Sequence, residues 1–108
     1  MIWEVKYLPE ADKDYDSLSR NQQIIVDKAI KKVKTNPLSI SEGGYGKPLG
    51  HKRGINLTNF LKIKIRGEGI RIVYRLERTE TKMLVVIGMR EDEEVYEIAQ
   101  RRAKKYDL

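Results

Sequence analysis

Residues 60–76, FLKIKIRGEGIRIVYRL, constrain the fold more than any other stretch of this chain. Apolar and polar residues alternate on both sides of Gly67-Glu68-Gly69, the period of two that marks a half-buried strand pair. A one-residue slip would carry Ile72 onto the lysine face, so one register keeps the apolar set together. In it Ile65 faces Ile70, Ile63 faces Ile72 and Leu61 faces Tyr74. Gly67-Glu68 is then expected as a two-residue type II′ loop, with Arg66 facing Gly69. The same register sets Lys64 opposite Arg71 and Lys62 opposite Val73. Like charges in opposed positions weaken a sheet by some tenths of a kcal/mol up to about 1 kcal/mol. Folding does not require that arrangement, and an anion would neutralise it. Lysine protection of an exposed sheet edge is the alternative. It accounts for Lys62, Lys64 and Arg66 on one strand, and less well for Arg71 and Arg75 on the next.

The charge distribution points the same way. The chain carries 22 Lys and Arg against 16 Asp and Glu, a formal net charge of +6. Positions 47–78 hold nine Lys and Arg (Lys47, Lys52, Arg53, Lys62, Lys64, Arg66, Arg71, Arg75, Arg78) and only two acids. A local basic patch on a charge-balanced body suggests an anionic partner, most often nucleic acid. With no cysteine, thiol catalysis and thiolate metal sites are excluded, and the single His51 cannot build a histidine metal site. No spaced Asp/Glu loop suggests a carboxylate site either, so neither metal nor cofactor is expected. The opening MIWEVKY carries an acid at Glu4 and no long apolar run, and reads as neither a signal peptide nor a membrane span. A cytoplasmic protein with no membrane partner is the expectation.

At 108 residues the chain is expected to form one domain, 1–108. Residues 2–8 alternate as a strand, and Pro9 suits the first turn of a short acidic helix. Ser19 to Gln22, SRNQ, has the form of a capping box that opens a second helix. Its apolar stripe is Ile25, Val26, Ala29, Ile30 and Val33, and Asn36-Pro37 stops it. Lys31 and Lys32 lie on its polar face, where substitution is expected to do little. Residues 37–59 read as a long loop, a feature that is usually functional or mobile. Strands at 60–66 and 69–77 follow, then the apolar run KMLVVIGMR at 82–90, as for a central strand. EDEEVYEIAQRRAKKY, acidic first and basic last, suits a helix macrodipole. The order is β-α-α-β-β-β-α: α+β, a mainly antiparallel sheet packed by an N-terminal helical hairpin, with a C-terminal helix. Taken alone, Arg90 could simply end its strand, and Tyr96 could be a core aromatic.

Taken together, FLKIKIRGEGIRIVY, the apolar strand after it and GMREDEEVY resemble the RelE-like toxins of the RelE/ParE toxin–antitoxin superfamily. The matching elements are a K-x-K pair, an arginine in R-[IL]-V-Y after the turn, an arginine past a glycine closing the last strand, and a tyrosine in E-V-Y. Here they are Lys62, Lys64, Arg71, Arg90 and Tyr96. The resemblance implies a microbial-RNase-like fold and a metal-independent endoribonuclease that cleaves mRNA in the ribosomal A site by 2′-hydroxyl attack. It implies a cognate antitoxin as partner beside the ribosome and mRNA. In its terms Lys64 is the base, Arg90 the acid or an electrostatic stabiliser, Lys62 and Arg71 hold the phosphate charge, and Tyr96 stacks on or orients the substrate base. Lys47, Lys52, Arg53, Arg66 and Arg75 become RNA or ribosome contacts. Arg101, Arg102, Lys104 and Lys105 either join them or serve the helix dipole. The loop before the hairpin looks longer than RelE's. A ParE-like DNA gyrase poison without nuclease activity is the alternative function, and a catalytically silent RNA- or DNA-binding domain the third.

Overall fold

The computed structural model describes residues 3–52, 55–78, 82–91 and 94–108, excepting the side chains of 51, 52, 55 and 56. The elements are β1 (Glu4–Tyr7), α1 (Pro9–Asp16), α2 (Arg20–Val33), a 3-10 turn (Ile40–Glu42), β2 (Lys47–Lys52), β3 (Ile55–Lys64), β4 (Arg71–Arg78), β5 (Lys82–Arg90) and α3 (Glu94–Lys105). One sheet runs in the order β1-β5-β4-β3-β2. β1 lies parallel to β5 and the remaining pairs are antiparallel. The architecture is the α+β arrangement expected, with one strand more.

Local chemistry sets the helices. Pro9 opens α1 without losing a hydrogen bond, because the first turn of a helix leaves its N–H groups unpaired. At α2 the Gln22 N–H donates to Ser19 Oγ at 3.1 Å and the Ser19 N–H to Gln22 Oε1 at 3.0 Å. This capping box satisfies two orphan donors, and removing such a cap costs about 1 kcal/mol. α2 buries Val26, Ile30 and Val33 from the expected stripe. β5, between β1 and β4, has Leu84, Val85, Val86 and Ile87 all buried, as its continuous apolar run requires. α3 packs across β3, β4 and β5.

Two expectations are corrected. Residues 37–59 are not one long loop: they contain β2 and the first half of β3. The segment 36–46 is tied to itself and to the core by hydrogen bonds. The Tyr74 hydroxyl donates to the Pro37 carbonyl at 2.8 Å in the core, and a β-carbon on Gly46 would overlap that hydroxyl. β2 therefore occupies the sheet edge, with Lys47 paired to Lys62. β3 is flanked on both sides as far as Lys62, so edge protection no longer accounts for that lysine, whereas Lys64 lies beyond the last β2 pair.

The hairpin register is the expected one: Leu61 pairs with Tyr74, Lys62 with Val73, Ile63 with Ile72 and Lys64 with Arg71. Its loop is not the expected type II′ turn. The Gly69 N–H donates to the Ile65 carbonyl at 3.0 Å and the Ile65 N–H to the Ile70 carbonyl at 2.8 Å. Residues 66–69 thus form the loop, with Gly67 and Gly69 both left-handed at φ 87° and 71°. The Ile65–Ile70 pair is common to both loops, so strand register is unaffected.

Candidate active site

Pairing across three strands assembles a row of cations. Lys64 on β3 is the partner of Arg71 on β4, and Arg71 is the partner of Arg90 on β5. Opposed residues in an antiparallel pair share a face, with Cα atoms about 4.5–5.5 Å apart. The row extends the Lys64–Arg71 opposition by one strand, which the hairpin alone could not reveal. Lys64 is exposed, and among the described residues no carboxylate pairs with it. Arg71 is half-buried. Its Nη1 donates to the Glu91 carbonyl at 2.9 Å and to the Gly69 carbonyl at 3.3 Å. Those bonds fix the guanidinium without neutralising it.

The next row along the sheet is Lys47, Lys62, Val73 and Gly88. Here α3 covers the sheet, and Lys62 is only 8% exposed. Its Nζ donates to the Tyr96 hydroxyl oxygen at 3.0 Å and lies 5.5 Å from the centre of that ring. Burying an ammonium against a neutral phenol is a costly choice for a stable core. Tyr96 itself is 2% exposed. At that exposure the ring offers a base little open face to stack on, which leaves the other expected role, orientation, through its bond to Lys62. It holds Lys62.

Arg90 lies at the end of β5, where the chain turns toward α3, and its Nη2 is 3.7 Å from Glu94 Oε2. The sequence reading overlooked Glu94 as a site residue, although the four-residue spacing was visible. Lys47 and Arg66 are exposed beside the row and border a groove of about 390 Å³ together with Lys62 and Lys64. Arg75 is four residues along β4 from Arg71, about 13 Å at strand rise, with its guanidinium carbon 5.9 Å from the centre of the Phe60 ring. The structure does not bring it to the row. The Lys52 side chain and Arg53 lie outside the described residues.

The basic end of α3 is partly a tertiary device. Arg102 Nη1 and Asp14 Oδ2 are 2.6 Å apart, both side chains largely buried, and Arg102 also donates to the Ile87 carbonyl at 3.0 Å. Asp14 accepts from the Met89 N–H at 3.1 Å. Lys105 Nζ reaches Glu10 Oε2 at 3.1 Å. Arg102 is therefore an interior tie between α1 and α3, which corrects its reading as a dipole residue or an RNA contact. Among the described residues no cluster of His, Cys, Asp or Glu could hold a metal ion, and no helix is long and apolar enough to cross a membrane.

No protein-family model and no curated protein matches the chain. Solved structures do. A mutant of E. coli toxin RelE in the free state superposes with a TM-score of 0.70 at 22% identity, over 97% of this chain and 98% of that one. The chain has the RelE fold. The toxin–antitoxin complex RelBE2 from Mycobacterium tuberculosis gives a TM-score of 0.63 at 22% identity, over 85% of this chain and 95% of that one. A YoeB/ParE toxin from Agrobacterium tumefaciens gives 0.59 at 22% identity, over 81% and 96%. At these identities the likeness is one of fold, and the chemistry has to be argued from the site.

Proposed function

We propose that this protein is the toxin of a type II toxin–antitoxin system and a ribosome-dependent, metal-independent mRNA endoribonuclease. The observation that carries the reading is the cross-strand row Lys64–Arg71–Arg90, with Lys62 buried beside it. Such a cluster weakens the sheet and favours a dianionic phosphorane. In the reaction the 2′-oxygen bonds to the adjacent phosphorus as the bond to the 5′-oxygen breaks, leaving a 2′,3′-cyclic phosphate and a 5′-hydroxyl. Lys64, exposed at the end of the row, acts from its uncharged amine form: it takes the 2′-hydroxyl proton and becomes the ammonium that then faces the phosphorane. Arg71, anchored on two carbonyls, and Lys62, anchored on Tyr96, hold the non-bridging oxygens. Arg90 faces the leaving oxygen and offsets its charge until a proton from water completes the 5′-hydroxyl. A site with no histidine depends on positioning, and the ribosome would supply it by presenting the message in the A site. The work is then cytoplasmic.

The antitoxin follows from relatives of the fold: RelE-like chains occur in the RelBE and RelBE2 toxin–antitoxin complexes. A protein that covers the basic face would silence the row. The competing reading, a gyrase poison, draws on the YoeB/ParE match. It leaves the buried Lys62–Tyr96 bond without a purpose.

The test uses a messenger carrying a single 2′-deoxynucleotide at the cut position in a purified translation system. The proposal predicts no cut there and an unchanged cut in the all-ribose message. Cleavage at the deoxy position would exclude 2′-hydroxyl attack. Toxicity that survives Lys64→Ala and Arg90→Ala, with gyrase-linked DNA breaks, would favour the poison.

A further inference from the structure

We infer that Tyr45 is the nucleobase platform of the site, a specificity residue that takes the role Tyr96 is too buried to fill. The inference rests on the nuclease reading above and names where the RNA lies. Tyr45 is 46% exposed and Ile40 60% exposed, in a molecule whose other large apolar side chains are mostly covered. Both line the groove of about 390 Å³ whose remaining wall includes Lys47, Lys62, Lys64 and Arg66. That volume falls within the roughly 300–1,000 Å³ of small-ligand sites. One groove thus joins the reacting end of the cationic row to an open aromatic ring.

The ring is prepared for stacking. Lys32 Nζ sits 5.0 Å from its centre, which supports one face by a cation–π contact. The loop beneath is tied down by its own backbone: the Ile40 N–H donates to the Gly46 carbonyl at 2.8 Å, the Gly44 N–H to Ser39 at 2.9 Å and the Tyr45 N–H to Asn36 at 3.1 Å. A backbone already ordered beneath the ring lowers the entropy lost when the loop binds. Lys32, expected from its polar helix face to be inert, becomes part of the site, and Lys31 remains the control. The occupant is single-stranded RNA rather than a peptide. Cations for a backbone beside an exposed ring for a base are what single strands require, and among the described residues no carboxylate lines the groove to recognise a basic peptide.

The experiment measures binding of the full chain to ribosomes programmed with mRNA made 2′-deoxy throughout the A-site codon, so that nothing is cut. Wild type, Tyr45→Phe, Tyr45→Ala and Lys31→Ala are compared, and single abasic nucleotides are then placed across the codon. Loss of one stacked base weakens binding roughly 5- to 150-fold. The expected result is that loss in Tyr45→Ala, near-normal binding in Tyr45→Phe and Lys31→Ala, and one abasic position that weakens wild type but not Tyr45→Ala. Equal binding by Tyr45→Ala and wild type overturns the platform, while cleavage lost in Lys64→Ala and Arg90→Ala would leave the nuclease reading standing. A Tyr45→Ala defect confined to binding a protein partner overturns it as well. If wild type does not bind programmed ribosomes, platform and nuclease reading fall together.

Discussion

Tyr96→Phe removes one oxygen, the acceptor 3.0 Å from Lys62 Nζ. At 8% exposure Lys62 has little access to water, so the variant leaves a charged donor buried without that bond. Losing a hydrogen bond to a charged group costs about 1.5–3 kcal/mol. For a domain of this size 1 kcal/mol moves Tm by about 4–8 °C, so Tyr96→Phe should melt roughly 6–24 °C lower. Lys62→Met keeps the length of the side chain and removes its charge. Replacing both partners by apolar groups is close to neutral, so the Lys62→Met/Tyr96→Phe double variant should regain most of the lost Tm. In the single Lys62→Met variant the fold should persist while cleavage falls by about 10²–10³, the usual loss for one transition-state donor. The assay is a double-mutant cycle by thermal melting, with primer extension on the same samples. A double variant as unstable as Tyr96→Phe would refute the argument, as would a Tyr96→Phe protein that melts with wild type.

Asp14→Ala strands the Arg102 guanidinium and removes the acceptor of the Met89 N–H. Breaking a largely buried pair costs about 3–5 kcal/mol, so denaturant unfolding should show a loss of that order, and a loss below about 1 kcal/mol would contradict the tie. Glu94→Gln removes one carboxylate that faces Arg90. An exposed pair is worth about 0.2–1 kcal/mol, so binding to programmed ribosomes should tighten by up to about fivefold at low salt, and weaker binding would contradict the competition. The Glu10 carboxyl is held down from its ordinary 4.5 to about 2, first by the Tyr106 hydroxyl and then by Lys105. A depressed carboxylate contributes stability above its ordinary value and loses it as pH falls through the folded one. The Tm gap between wild type and Glu10→Gln should therefore close between pH 4.5 and 2, and a gap constant across that window would remove Glu10 from the account.

The parts of the fold written in local periodicity were legible. Period two set the 60–76 register, and the Ser19-x-x-Gln22 pattern placed α2 to the residue. β2 was not legible, because KPLGHK presents one buried leucine, and Gly50 takes φ 58° where the register shifts. No alternation survives such an irregularity. At the site, the residue types could be read and their neighbours could not. Arg71 opposite Arg90 depends on how β4 meets β5. Tyr96 was identified, but its burial between α3 and the sheet, against Lys62, decides which group it touches. Arg102 and Asp14 are 88 residues apart, and only the closed fold brings them together. Tyr45 lay in a segment whose composition suggested a functional or mobile loop, while the backbone bonds that place it are ones that sequence pattern does not display.

The most direct test of the central claim is primer extension on an mRNA in a purified translation system, with and without ribosomes, comparing wild type with Arg90→Ala. The account predicts cuts at A-site codons with wild type only and with ribosomes only, while Arg90→Ala stays folded. Equal cutting by the two proteins, or no cutting by folded wild type on ribosomes, would contradict the cationic row as a phosphodiester clamp.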